Sequence, residues 1–275
     1  MLQQLSSRIS QHLGRDHALI RFCRPAYEHL LDQRGGFRRT INGRETFFID
    51  PHHRGLFPET YEPAVCEFLR ANVRPGEVCL DIGAHVGIYA LLLAGWSAPR
   101  GRVFAFEPNT AARAILESNL ARNREGTRVT AVPQGISDHG GEATFYAAGI
   151  EGFSRLGSPN RDRREMHHSF NVPLTTIDDF CARRQVRPDW ILIDIEGYEV
   201  AALRGARGTL ADLKTKVVVE MHPFLWTYAG TSRSVFMRLL EELRLRPVAL
   251  SGQKDVWAEN GQVVLERWAK RFDRP

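Results

Sequence analysis

At 275 residues and 31.2 kDa, with 43% hydrophobic and 25% charged residues, the chain has the composition of a globular protein of one or two domains. That composition excludes the disordered, collagen-like and mini-protein classes, and the longest apolar run, near Tyr89 to Trp96, is too short for the roughly 18 residues of a membrane-spanning helix. The formal charge of +5 comes from arginine, since Lys214, Lys216, Lys254 and Lys270 are the lysines among 37 basic residues. This bias is spread evenly along the chain, so no nucleic-acid partner is expected. The first residues lack the apolar block of a secretory signal. Cys23, Cys66, Cys79 and Cys181 stand too far apart for a disulfide framework or a structural zinc, so a cytoplasmic protein is expected.

Residues 1–57 read as an N-terminal extension and residues 58–275 as one catalytic domain. Leu2, Leu5, Ile9 and Leu13 recur at helical spacing, and Ala26, Leu30 and Leu31 continue it after Pro25. Phe37 to Ile41 and Glu45 to Ile49 flank Asn42-Gly43, a pair suited to a two-residue hairpin turn. From residue 58 helices alternate with short apolar strands. Tyr61, Val65, Phe68 and Leu69 mark one helix face; Ala112, Ile115, Leu116 and Leu120 a second; Val200, Leu203, Ala206 and Leu210 a third; Val235, Leu239, Leu240 and Leu243 a fourth. Strands are expected at Val78 to Leu80, Val103 to Phe106, Val129 to Val132, Ile191 to Ile195, Val217 to Val219, Pro247 to Leu250 and Val263 to Leu265, with another at Ala143 to Tyr146. Continuous apolar strands between amphipathic helices imply an α/β fold with a doubly wound, mostly parallel, seven-stranded Rossmann-like sheet, which binds ligands at the carboxyl ends of its strands.

Three strand ends carry candidate cofactor chemistry. The first delivers Asp81, then Gly83 and Gly87, and then a helix. A dinucleotide fingerprint would have glycine where His85 stands, and the acid would repel a pyrophosphate; a carboxylate there suits the cationic end of S-adenosylmethionine. The second strand ends in Glu107, placed to accept ribose hydroxyls, a role shared by nicotinamide cofactors. The third runs into Gly135, Ile136, Ser137 and Asp138, a polar turn suited to an adenine edge. Two later strands end in Asp194 with Glu196, and in Glu220 with His222, each pair on one side by period-two alternation. Plainer readings stand beside these, namely a helix cap for Glu196 and a satisfied buried imidazole for His222.

The segments DIGAHVGIYALLLA (81–94), FAFEPN (104–109) with Asn119 downstream, GISDHGGEATFY (135–146), IDIEGYEVAALRGA (193–206) and VVVEMHP (217–223) together resemble the FkbM family of S-adenosylmethionine-dependent methyltransferases over about residues 59 to 223. The resemblance implies a class I methyltransferase fold and methylation of a hydroxyl on a sugar, glycan or secondary metabolite. It implies a cofactor site of Asp81, Gly83, Ala84, Gly87, Glu107, Pro108, Ser137 and Asp138. An oxygen nucleophile needs its proton removed, and the candidates are His222 and Asp194, with Glu196 and Glu220 orienting or assisting. A metal-free site is expected, with a divalent ion on Asp194, Glu196, Glu220 and His222 as the competing account. The polar stretch from Gly149 to Phe170, with Arg155, Arg161, Arg163, Arg164, His167 and His168, reads as a substrate-covering loop suited to a nucleotide-linked sugar. A nicotinamide oxidoreductase, a nucleic-acid methyltransferase and a non-catalytic binding module are the rival classes.

Overall fold

A computed structural model describes residues 17–147, 155–156 and 168–268. Its main sheet has seven strands: β3 (Val78–Ile82), β4 (Arg102–Phe106), β5 (Val129–Val132), β10 (Trp190–Ile193), β11 (Lys216–Met221), β12 (Leu245–Ala249) and β13 (Gly261–Arg267). They lie in the order β12-β13-β11-β10-β3-β4-β5. All are parallel except β13, which runs antiparallel to both neighbours. The chain builds outward from β3 to β5, then returns to lay β10 on the other side of β3. Strand order therefore reverses between β3 and β10, where a doubly wound sheet opens a crevice at its carboxyl edge.

Alternation along each strand divides the core. Leu80, Ile82, Phe104, Phe106, Ile191, Ile193, Val217 and Val219 pack on one face with Phe180, Leu203 and Phe236. Cys79, Val103, Ala105, Trp190, Leu192 and Val218 pack on the other with Leu69, Leu91 and Leu116. Both faces are dry, which explains why the central strands read as unbroken apolar runs. Asp81 breaks such a run at the strand end, only 4% exposed.

The extension is built into this core. The strands β1 (Phe37–Ile41) and β2 (Glu45–Ile49) form the expected hairpin, and Ile41, Ile49 and Phe57 join the second face's core. Asn42 and Gly43 take the positive φ that their types suggest, 50° and 68°. The turn is nevertheless three residues long, because Ile41 pairs with Glu45 and leaves Arg44 in the loop. The tie that holds Asn42 is tertiary: its backbone N–H donates to the Glu59 carbonyl at 2.7 Å, and its amide exchanges bonds with the Tyr61 backbone at 2.7 and 2.9 Å. A single helix, Ala18–Gln33, runs through Pro25; the expected helix over Leu2 to Leu13 lies outside the described residues.

Two expectations are corrected. The helix after β10 spans only Glu199–Arg204 and does not reach Leu210. At Gly205 a Cβ would meet the Ser137 carbonyl at 2.3 Å, and Asp178 accepts bonds from the Gly208 and Thr209 backbones at 2.7 and 2.6 Å, starting a separate short turn. The Gly135–Ile136 segment is a short strand, β6, in a four-stranded sheet with β7 (Gly141–Ala147), β8 (Arg155–Leu156) and β9 (His168–Thr175), ordered β6-β9-β7-β8. Residues 149–154 and 157–167 of the expected covering loop lie outside the described residues. Among the described residues no helix is long and apolar enough to cross a membrane.

Asn119, fully buried on helix Thr110–Arg122, fastens the extension to the glycine turn. Its Oδ1 accepts from the Asp50 backbone at 2.8 Å and its Nδ2 donates to the Val86 carbonyl at 3.0 Å. Asn119→Ala is expected to lower unfolding free energy by about 1–3 kcal/mol, the cost of stranding buried polar partners. Urea titration checks this, and a change near zero would remove Asn119 from that role.

Candidate active site

A cavity of about 320 Å³ opens at the reversal between β3 and β10 and spans the carboxyl edge of the main sheet. One half is lined by Asp81, Gly83, Ala84, His85, Glu107 and Pro108; the other by Tyr61, Glu62, Tyr89, Asp194, Glu196 and Glu220.

In the first half, β3 ends in a turn whose backbone is left-handed at Gly83, His85 and Gly87, with φ of 90°, 50° and 96°. The need for glycine at 83 is set by the protein itself. A Cβ there would lie 1.8 Å from the Asp194 carbonyl oxygen. Gly87 does not line the cavity; it caps helix Ile88–Trp96, and a Cβ would strike the Leu116 side chain at 2.4 Å. Glu107 is buried and doubly held, accepting from the Asn109 and His85 backbones at 2.7 and 2.8 Å. Burial still pushes its carboxyl up to about 7, against those bonds and the charge of Arg113. Asp81 is likewise pushed up to about 7 by burial and by Glu107, and its Oδ2 has no hydrogen-bond partner among the described residues. Ser137 and Asp138 do not face this cavity. Ser137 donates its N–H to the Thr175 carbonyl, Asp138 pairs with His139 at 2.7 Å, and Gln134, Gly135 and Ile136 line the wall instead. The physical reason is β6, whose pairing with β9 carries the following residues out of the crevice.

In the second half β10 stops at Ile193, so Asp194 and Glu196 are not brought together by strand alternation as expected. Glu196 and Gly197 are left-handed, with φ of 50° and 102°, and this tight turn brings the Glu196 carboxylate back toward the edge of the sheet. Glu220 arrives on β11, and His222 follows that strand's end. Asp194 Oδ1, Glu196 Oε2 and Glu220 Oε1 lie 3.9, 3.8 and 3.7 Å from His222 Nε2. The Asp194 carboxyl is pushed well above the usual carboxylate range by loss of hydration and by Glu220, with His222 opposing.

His222 itself does not line the cavity. Its Nδ1 bonds to Glu199 Oε1 at 2.7 Å. Burial lowers its basicity, but the Glu199 bond and the surrounding carboxylates outweigh that and hold the imidazole at about 10. Those carboxylates favour the proton-bearing imidazole, which turns the search for the general base toward the acids that line the cavity.

Glu199 and Glu62 were not among the expected site residues. Glu199 is completely buried and accepts from His222, from Trp226 Nε1 at 2.9 Å and from the Gly197 backbone at 2.9 Å. The signal for it was the third acid of Asp194-x-Glu196-Gly197-x-Glu199. Glu62, left-handed at φ 36°, accepts from the Tyr89 hydroxyl at 2.5 Å, and burial pushes its carboxyl up to about 6. No local pattern marks it, because the Asn42 bonds to Tyr61 bring it to the cavity.

The family model for the methyltransferase FkbM domain matches residues 81–246, which span this cavity. The chain belongs to the FkbM methyltransferase family. It is 24% identical over 187 residues to the hexuronic acid methyltransferase AglP of Haloferax volcanii, across 67% of this chain and 70% of that protein. It is 31% identical over 182 residues to the antimetabolite synthetase AmbE of Pseudomonas aeruginosa, across 54% of this chain but 8% of AmbE. It is 39% identical over 83 residues to the 31-O-demethyl-FK506 methyltransferase FkbM of Streptomyces tacrolimicus, across 29% of this chain and 31% of that protein. The chain thus spans only a small part of AmbE and about a third of the Streptomyces enzyme.

The cofactor of this methyltransferase is S-adenosylmethionine. The residues of the first half fit it: Asp81 Oδ2, buried and without a hydrogen-bond partner among the described residues, could take the ammonium, and Glu107 could accept from ribose hydroxyls.

Acids raised from about 4 to about 7 favour the fold in their neutral forms, a contribution complete below about pH 4 and lost as pH rises through 7. Holding an ammonium requires the ionised form. Affinity for S-adenosylhomocysteine is therefore expected to rise between about pH 6 and pH 8. Asp81→Asn should bind weakly at both values and lose the dependence. Calorimetry at the two pH values is the check, and equal wild-type affinities would remove Asp81 from the ammonium site.

Proposed function

We propose that this methyltransferase transfers its methyl group to a hydroxyl oxygen of a sugar, glycan or secondary-metabolite acceptor. The observation that supports this most directly is the continuity of the cavity from Asp81 and Glu107 to Asp194, Glu196 and Glu220. S-adenosylmethionine supplies an electrophilic methyl group when bound. The chain's own residues do the rest. Asp81 would hold the ammonium of the cofactor's methionine half and Glu107 the ribose hydroxyls of its nucleoside half.

On the acceptor side, carboxylates are hydrogen-bond acceptors without donors of their own when ionised, so a group of them suits a molecule rich in hydroxyls. As the oxygen attacks, its proton passes to a carboxylate lining that half, Asp194 being the foremost candidate because it lines the cavity at the strand reversal where the two halves meet. Glu199 fixes the imidazole of His222 behind them, and His222 offsets part of their mutual repulsion. Positioning supplies much of the rate of such a transfer, since both reactants are held within one small cavity. AglP, by its name, methylates a hexuronic acid, and the Streptomyces relative, by its name, methylates 31-O-demethyl-FK506; both names support oxygen as the acceptor atom.

The test is incubation with methyl-labelled S-adenosylmethionine and a panel of glycosides, nucleotide-linked sugars and hydroxylated metabolites, followed by mass spectrometry of the products. A methyl ether is expected; methyl found only on nitrogen or carbon would overturn the reading. Asp194→Asn is expected to lower kcat by about 10²–10⁴-fold. Its S-adenosylhomocysteine affinity should stay within about twofold, because the cofactor anchors lie on the other half.

A further inference from the structure

We propose that Asp194, Glu220 and His222 form a binding site for a single divalent cation at the acceptor end of the cavity, in place of the metal-free site expected from the sequence. The site deepens the methyltransferase reading, and its test is independent of turnover. One donor atom from each of the three residues lies within 4.8 Å of the others.

Acidic residues gather in many clefts without a metal. The feature that distinguishes this cluster is a buried imidazole whose Nε2 lies among three carboxylates at ion-pair distance without a hydrogen bond to any of them. The His222 side chain is 5% exposed, and its Nδ1 is committed to Glu199 at 2.7 Å. Its Nε2 points among Glu220, Glu196 and Asp194 at 3.7, 3.8 and 3.9 Å, beyond hydrogen-bond reach of each. An imidazolium with only these partners would close on one of them at about 2.7–2.9 Å, as Nδ1 has done with Glu199. The near-equal separations instead describe donors arranged about a common point. Ligand atoms about 2.0–2.3 Å from one ion stand roughly 3–4 Å from each other, and His222 Nε2 stands 3.9 and 3.7 Å from Asp194 and Glu220.

Glu199 adds an independent sign. Metal-ligating imidazoles characteristically donate their other N–H to a carboxylate, which fixes the tautomer and the ring orientation. Glu199 does this while fully buried, and is itself held by Trp226 and the Gly197 backbone. An ion bound here displaces the Nε2 proton, and the nitrogen's lone pair then faces the ion beside Asp194 and Glu220, both of which line the cavity. Two carboxylates and one imidazole, with Glu196 beside them, suit a hard or borderline ion of the Mn²⁺ class. Facing the cavity, such an ion would hold an acceptor hydroxyl and stabilise charge developing on its oxygen.

The test uses the full chain, stripped with EDTA and dialysed, then titrated with MnCl₂ while free Mn²⁺ is followed by electron paramagnetic resonance. Mg²⁺ and Zn²⁺ serve as competitors, and S-adenosylhomocysteine binding is measured calorimetrically on the same preparation. Saturable binding of one ion per chain is expected, weakened at least tenfold in Asp194→Asn and Glu220→Gln and about 10–100-fold in Glu199→Gln. Circular dichroism verifies that each variant is folded; if Glu199→Gln is not, the two cavity-lining variants decide. Absence of saturable binding of any of the three ions to the wild type would overturn the site, as would binding that these variants leave unchanged. The carboxylates would then meet acceptor hydroxyls or a cationic acceptor directly. Ion binding without S-adenosylhomocysteine binding would uphold the site and sink the methyltransferase reading, whereas the reverse would sink the site alone.

Discussion

At the carboxyl ends of β3 and β10 two backbones meet so closely that residue 83 has no room for a side chain. The Asp194 N–H donates to the Ile82 carbonyl at 2.9 Å, and the Asp194 carbonyl occupies the space a Cβ of residue 83 would need. This contact is where the order of the sheet reverses, and it brings the two halves of the site together. Asp81 lies just before the contact on one strand and Asp194 just after the other strand's end. A bulkier residue at 83 would separate the cofactor anchors from the acceptor-side acids.

The charge carried by this crevice makes little sense as a stabilising feature. Asp81, Glu107, Glu62 and Asp194 are all pushed upward, each mainly by loss of hydration. Carboxyls held this way favour their neutral forms and weaken the fold when ionised. Buried acids with raised pKa values concentrate where a ligand supplies the missing positive charge. In the first half the cofactor's ammonium is the charge proposed for that place. In the second, the acids Asp194, Glu196 and Glu220 outnumber the one imidazole beside them.

The N-terminal extension contributes to the site although it lies before the segment matched by the family model. Asn42 holds the Glu59–Tyr61 stretch, Glu62 follows in a left-handed conformation, and Tyr89 reaches it from the first helix after the glycine turn. Tyr61 and Tyr89 stack edge to face at 5.4 Å. One wall of the acceptor half therefore combines Tyr61 and Glu62, which lie before the matched region and are held by the hairpin, with Tyr89 from within it, whereas Asp81, Glu107 and Pro108 all lie within the matched region.

The apolar runs, the acids that end them and the glycine turn were legible in the sequence because they obey local rules. A strand buried on both faces must be continuously apolar, and a charged residue at its end needs a reason to be there. On that basis Asp81, Glu107, Asp194 and Glu220 were placed at one edge of one sheet. Tertiary structure alone decided the rest. Whether Ser137 and Asp138 face the crevice depended on β6 pairing with β9, and whether His222 is an acceptor or a cation depended on Glu199, which reaches it from the next helix. Glu62 entered the cavity through bonds made by a hairpin turn 20 residues earlier in the chain, at Asn42. Such placements arise from contacts between elements, and one element's residue pattern records only what its own packing requires.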